Sequence, residues 1–377
     1  MTKYFPLNKQ ETERRQFIWD GFYNKRPMNK AAIEFSSIPD RQEIDKEVAP
    51  AGDIPLKSSG AHPWLDDDIR HQLHNMRVES LSRYQGDRFP ALVIPREKYG
   101  QSQALAEIFG AKLVEHESQP GLYHPVPCIT TASDVWSLKP KPLAECMYHK
   151  AIDYARYIHE AAGGELAVRS PILTGPLDTA NYLLGTTALM GWVYEEPEAL
   201  KKLLDIITDT LIEVINLYQE AVSGHTAPDL VPCAGKGYLV CSEVRHLISL
   251  ETYCEFEAPY LRRIGEACGP FAVHACGNME RTIRATLGDP NIFAADFQSR
   301  ETDIALALSE TQNKLSFNIR KTFCYEEYEW PDDESYYRYL FNTIKEPAPV
   351  CFMIYDIEAY RNVWDELGGA NTMFRKL

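Results

Sequence analysis

His274-Ala275-Cys276-Gly277-Asn278 carries the densest chemistry in the chain. It follows the apolar run Phe271-Ala272-Val273, which reads as a short buried strand. Side chains alternate along an extended chain, so an imidazole and a thiol two residues apart at a strand end point the same way. A nitrogen donor beside a thiolate is the beginning of a zinc site. Gly277 is expected to let the backbone turn sharply beneath whatever is held there. The competing reading is a buried histidine beside a buried cysteine, since cysteine is among the most buried residue types. Two donors fall short of the three or four of a usual zinc site, so the pair calls for partners elsewhere in the chain.

The nine cysteines, at 128, 146, 233, 241, 254, 268, 276, 324 and 351, are where partners are sought first. An odd number in a large chain does not suggest a disulfide framework. Most are expected to be inert small hydrophobes. The 377 residues carry a net charge of −15, with 45% hydrophobic and 25% charged residues. That is the composition of a soluble globular protein, and the acidic balance argues against unaided binding to nucleic acid or to an anionic membrane surface. No apolar run approaches the roughly 20 residues that span a bilayer. Met1-Thr2-Lys3-Tyr4-Phe5-Pro6 lacks the apolar core of a signal peptide, so a cytoplasmic location is expected.

The elements that must position the pair are strands alternating with helices. Strand-like runs occur at Ala31 to Phe35, Ala91 to Ile94, Leu166 to Leu173, Leu230 to Cys233, Phe271 to His274, Ile292 to Phe297, Leu315 to Ile319 and Val350 to Tyr355. Amphipathic segments separate most of them. The clearest runs from Pro197 to Ala221, with Leu200, Leu203, Leu204, Ile207, Leu211, Val214, Ile215 and Tyr218 at helical spacing. Strands alternating with helices in this number predict an α/β fold, a single (β/α)8 TIM barrel over residues 1–377, with active groups at the C-terminal ends of the strands. His274 and Cys276 obey that rule. Ser36 to about Asp68 is rich in Pro, Gly, Asp and Ser and reads as an irregular excursion of the kind that forms lids.

Several segments together resemble the uroporphyrinogen decarboxylase superfamily. Gly175-Pro176-Leu177-Asp178-Thr179-Ala180-Asn181-Tyr182-Leu183 is similar to its Gly-Pro segment after a barrel strand, and Tyr194-Glu195-Glu196-Pro197-Glu198 to its Tyr-Glu-Asp-Pro-Glu helix start. Ile248-Ser249-Leu250-Glu251-Thr252-Tyr253-Cys254-Glu255-Phe256 with Pro259-Tyr260-Leu261 resembles its Leu-Ser-Pro-Glu-x-Tyr-x-Glu-Phe and Pro-Tyr-Leu stretch. His274-Ala275-Cys276-Gly277-Asn278 resembles its His-x-Cys-Gly-Asn motif. The resemblance, over about residues 10 to 360, implies a (β/α)8 barrel of the uroporphyrinogen decarboxylase type.

It also implies one of two chemistries. Metal-free decarboxylases of tetrapyrroles carry an Arg-Gln-Ala-Gly-Arg segment after the first strand, and here Ile33-Glu34-Phe35-Ser36-Ser37 leads into none. Their aspartate before the second strand corresponds to Pro90, which has neither carboxylate nor backbone donor. That branch, or a decarboxylase of another acidic substrate, is the alternative. The branch favoured is that of zinc-dependent methyltransferases, which move a methyl group between a corrinoid carried by a partner protein and a thiol or small methylated compound. Their His-x-Cys pair corresponds to His274 and Cys276, and their further cysteine near the last strand to Cys351. Cys351 begins its apolar run, whereas a ligand belongs at a strand's end, so Cys324 in the seventh strand-to-helix loop competes with it. Cys233 and Cys241 are weaker candidates, and Asp356 could offer oxygen.

Asp178, Tyr182, Asn278 and His246 are candidates for substrate contact, Tyr182 because it matches a family pocket tyrosine and His246 because it falls in a substrate-contacting segment. Each has a structural competitor. Asn278 could satisfy loop carbonyls, and Asp178 could cap the helix that starts near Thr179. Asp66-Asp67-Asp68 reads as a helix start after Pro63 rather than a metal site, and Cys233-Ala234-Gly235-Lys236-Gly237 lacks the pattern of a nucleotide-binding loop.

Overall fold

A computed structural model of the chain describes residues 4–321, 326–367 and 373–377. Its centre is a parallel (β/α)8 barrel of the uroporphyrinogen decarboxylase type. The staves are β1 (Ala32–Phe35), β2 (Ala91–Leu92), β3 (Ala167–Arg169 and Leu173–Thr174), β4 (Thr226–Ala227 and Tyr238–Cys241), β5 (Phe271–Ala275), β6 (Ile292–Gln298), β7 (Ser316–Arg320) and β8 (Val350–Ile354). One ladder runs β1-β8-β7-β6-β5 and on to the second halves of β4 and β3; the other joins β2 to the first halves of β3 and β4. Staves β3 and β4 therefore belong to both ladders and hold them together. The β1–β2 seam is sewn by Asp87, whose backbone N–H donates to the Ile33 carbonyl (2.6 Å) and whose Oδ2 accepts from the Ile33 N–H (2.9 Å).

The helices cover the outside because each has one apolar stripe. Pro197–Ala221 starts with proline at its first position, where no amide partner is lost, and buries Leu200, Leu203, Leu204, Ile207, Leu211, Val214 and Ile215. The sequence expectation holds there. It fails at the fourth stave. Leu230 to Cys233 is not a strand: Leu230 has φ +60°, and residues 228–237 leave the stave and re-enter it at Tyr238. The excursion is buried because it fills the barrel. Arg169 donates to the carbonyls of Pro228 (2.8 Å) and Val231 (3.2 Å), and Asn318 donates to that of Leu230 (2.8 Å).

The lower end of the lumen is closed by small residues and a helix. Ala32, Ala272, Ala294 and Cys351, from the starts of four staves, pack with Val231, Cys233 and Ala234 against Ile18 and Phe22 of the helix Lys9–Tyr23. The segment expected to be irregular from Ser36 to Asp68 contains the short helix Arg41–Ile44 and the single turn Ala51–Asp53, and by Pro63 it has become the long helix Pro63–Leu81. Among the described residues no helix is long and apolar enough to cross a membrane.

Candidate metal centre

Register brings the polar groups together. Cys241, His274, Asp296 and Asn318 are successive Cα partners across β4, β5, β6 and β7. Alternation assigns faces: Val273 and Val240 join the outer core, Ala272 and Leu239 the lumen cluster, so His274 and Cys241 face inward.

His274 Nδ1 lies 2.5 Å from Asp296 Oδ1. The other oxygen of Asp296 accepts from Arg320 Nε at 2.9 Å and from the amide of Asn318. Carboxylate, guanidinium and amide thus fix the ring and leave Nε2 directed at the strand ends. There it meets Cys276 Sγ at 3.3 Å and Glu243 Oε1 at 3.2 Å. One donor atom each from Glu243, His274 and Cys276 lies within 4.8 Å of the others. Glu243 is tied in place by its second oxygen, which accepts the Cys276 N–H (2.7 Å).

The electrostatics follow from burial and pairing. Burial opposes charge on His274, but hydrogen bonds to Asp296, Cys276 and Glu243 outweigh it and hold the imidazole pKa well above the usual value. Burial would raise Glu243, yet His274 and the Cys276 contacts leave it below the ordinary carboxylate range. Asp296 is likewise lowered, against burial, by Arg320 and His274. Nitrogen, thiol and carboxylate oxygen form a donor set that suits zinc. A histidine whose far nitrogen is held by a carboxylate is the usual arrangement behind a metal ligand. Glu243, His274 and Cys276 are the residues that would hold such an ion.

Glu243 was not read from the sequence. The available signal is its place in a segment that departs from the family pattern; β4 ends at Cys241 and Glu243 lies beyond it in helical backbone, so strand alternation assigns it no face. Cys351 requires a correction. It is the second residue of its stave, deep in the lumen, and its Sγ lies 3.3 Å from Cys233 Sγ rather than near His274. Both thiols are fully buried. Cys324 lies outside the described residues. Cys241 flanks the site but is not one of the three converging groups; burial foremost, with the charges of Glu243 and Asp178, pushes its thiol well up. Asp356 accepts the N–H groups of Glu358 (2.7 Å) and Ala359 (3.0 Å) and so caps a helix.

Asp178 does not cap its own helix. Its two oxygens accept the N–H groups of Glu243 and Val244, both at 2.8 Å, and so hold the loop that presents Glu243. Asn278 is exposed and accepts from the Glu280 N–H (2.9 Å). The phenol of Tyr182 feels burial and the charges of Asp178, Cys241 and Glu243, all of which raise its pKa. The His246 ring bonds the Glu243 carbonyl through Nδ1 and covers Gly277. The backbone bends at Gly277 as expected, and a Cβ there would meet the His246 Cγ at 2.7 Å, so this glycine also serves close approach.

A second feature of the same end of the barrel is a cavity of about 590 Å³ at the ends of β1 and β2, roofed by the excursion after β1 and by the helix Pro63–Leu81. Pro90 is in its wall.

A barrel with a histidine-centred donor cluster at the C-terminal ends of its staves defines the class. Residues 103–310, more than half of the chain, match the uroporphyrinogen decarboxylase (URO-D) family, and the chain belongs to that family. A stretch of 114 residues is 30% identical to the methylated-thiol–coenzyme M methyltransferase of Methanosarcina mazei, covering 30% of this chain and 28% of that protein. The match thus spans little more than a quarter of that relative. The solved structure of a methyltransferase from Methanosarcina mazei has the same fold, with a TM-score of 0.60 at 14% identity over 93% of this chain and 98% of that one. The structural likeness shows the shared fold.

Proposed function

We propose that the protein is a zinc-dependent methyltransferase, one barrel domain that moves a methyl group between a corrinoid on a partner protein and a thiol or small methylated compound. The convergence of Glu243, His274 and Cys276 within 4.8 Å carries this reading. Zinc at these donors would hold a substrate thiol as its thiolate near neutral pH, the nucleophile that methyl transfer needs. The chain's own residues do the rest. Asp296, held by Arg320 and Asn318, presents Nε2 of His274; Asp178 positions Glu243 through the backbone; Tyr182 and His246 flank the open side and orient substrate. Asn278 acts at the rim, where its side chain also fixes the next helix.

The alternative, a metal-free decarboxylase of a tetrapyrrole or other acidic substrate, is disfavoured by the missing arginine segment after β1 and by Pro90, which stands in the wall of the cavity at β1 and β2 without carboxylate or backbone donor.

Protein purified without added zinc is expected to hold close to one equivalent, and to transfer methyl from methylcobalamin to coenzyme M. Cys276→Ser should lose both properties, and Cys351→Ser should keep the metal. Less than roughly a tenth of an equivalent in the wild type, with no uptake from added zinc, would sink the proposal, because a three-donor site of this type binds its ion tightly.

A further inference from the structure

Arg245 lies two residues beyond Glu243, in the single turn Val244–His246, and only 1% of it is exposed. Burying a guanidinium is costly, and this one is held by uncharged partners. Nε donates to Thr282 Oγ1 (2.8 Å) and Nη2 to Thr286 Oγ1 (2.9 Å), while Nη1 has no hydrogen-bond partner. The guanidinium carbon lies 4.9 Å from the ring centroid of Tyr253. Among the described residues no ion pair neutralises it; Glu257 feels its charge without bonding it. Hydrocarbon would fill such a space at lower cost. What hydrocarbon lacks is a grip with two prongs. Thr282 and Thr286 stand four residues apart on one face of the helix Glu280–Thr286, and the planar fork spans them.

That helix begins four residues beyond Cys276. Its first turn is tied back toward the loop, since the N–H and Oγ1 of Thr282 both donate to the Met279 carbonyl (3.0 and 3.2 Å). Arg245 therefore joins two strand-to-helix loops, the one that carries Glu243 and the one that carries Cys276. Asp178 already holds the first of them through the amides of Glu243 and Val244, but from the side away from Cys276. At the cluster itself the loops meet through the Cys276 N–H on Glu243 Oε2 and through the His246 ring over Gly277.

We propose that Arg245 is a positioning residue of the donor cluster: by clamping the turn after Glu243 to the helix after Cys276, it sets the distance between these two donors. The inference rests on the reading of the cluster as a zinc site, and adds to it a residue that touches neither ion nor substrate.

A double-mutant cycle on zinc affinity, measured on the full chain by competition with a chromogenic chelator, tests it. Arg245→Met should weaken zinc about tenfold in the wild-type background. It should weaken zinc by less than about twofold where Glu243→Ala has already removed the donor that it positions. Arg245→Lys, a point charge that reaches one hydroxyl at a time, should recover part of the loss. If Arg245→Met does not fold, Thr286→Val removes one prong and carries the same cycle. An equal loss in both backgrounds, or unchanged affinity in the folded variants, overturns the proposal. A second readout needs no metal. In chelator-treated protein, alkylation of Cys276 by iodoacetamide should quicken severalfold in Arg245→Met relative to the exposed Cys128, as followed by mass spectrometry. An unchanged ratio counts against the clamp. Wild-type protein that takes up no zinc would fell the zinc reading alone, and the alkylation ratio would still decide whether Arg245 holds the two loops together.

Discussion

Asp296 touches none of the open space at the strand ends, yet its two oxygens determine what His274 can do. One holds Nδ1 at 2.5 Å, and the other is spent on Arg320 and Asn318, so the ring cannot rotate and Nε2 alone faces the cluster. Replacing it should loosen the metal without unmaking the donor set. Asp296→Ala is expected to lower zinc affinity 10- to 100-fold, measured by competition with a chromogenic chelator, while Cys276 and Glu243 keep a residual site. At this scale the sequence was partly legible. His274 and Cys276 declared themselves through a two-residue spacing at the end of an apolar run. Glu243 did not, because it stands beyond the strand among charged neighbours and its role depends on a register between β4 and β5 that no local pattern encodes. Cys351 was offered by the family resemblance, and its place at the start of an apolar run was the legible sign against it. Set near the beginning of its stave, its thiol belongs to the packed floor of the barrel.

The excursion from residue 228 to residue 237 is the element that reading along the chain could not place. Leu230-Val231-Pro232-Cys233 has the apolarity of a strand because it is buried, but it is buried as filling, with its carbonyls turned to Arg169, Asn318 and Arg320 instead of to a neighbouring strand. The other seven staves were legible because ladder pairing and a helix on the outer face impose a short apolar run followed by a 3.6-residue period. Arg169 is the pivot of the exception. Burial, with Arg88 nearby, draws its pKa down to about 10, which leaves it charged at neutral pH and worth keeping for its bonds to Pro228, Val231 and Phe89. Arg169→Met should orphan those carbonyls and destabilise the fold by about 3 kcal/mol, read from the urea midpoint.

For the whole molecule, the acid pair behind the centre sets a pH dependence. Glu257 is fully buried; burial pushes its carboxyl up to about 7, and one of its oxygens has no hydrogen-bond partner. Asp178 beside it is raised by burial and by Glu257 and Glu243. A carboxyl whose folded pKa lies above its unfolded value near 4.5 binds protons preferentially in the native state, so its contribution is full at low pH and is lost as pH climbs from about 4.5 to 7. Glu257→Gln, which mimics the protonated acid, should therefore raise the melting temperature relative to wild type at pH 8. The gain, at most about 3 kcal/mol, should vanish by about pH 4.5, and thermal melts across that range will show it.

The stopper formed by Ile18 and Phe22 under the small residues at the foot of the staves makes the lumen a well and not a tube. Whatever reaches His274 must arrive and depart over one rim. On the methyltransferase reading, a bulky carrier seated there would obstruct the exit of its own product, so turnover would have to alternate: each visitor would leave before the next could be served.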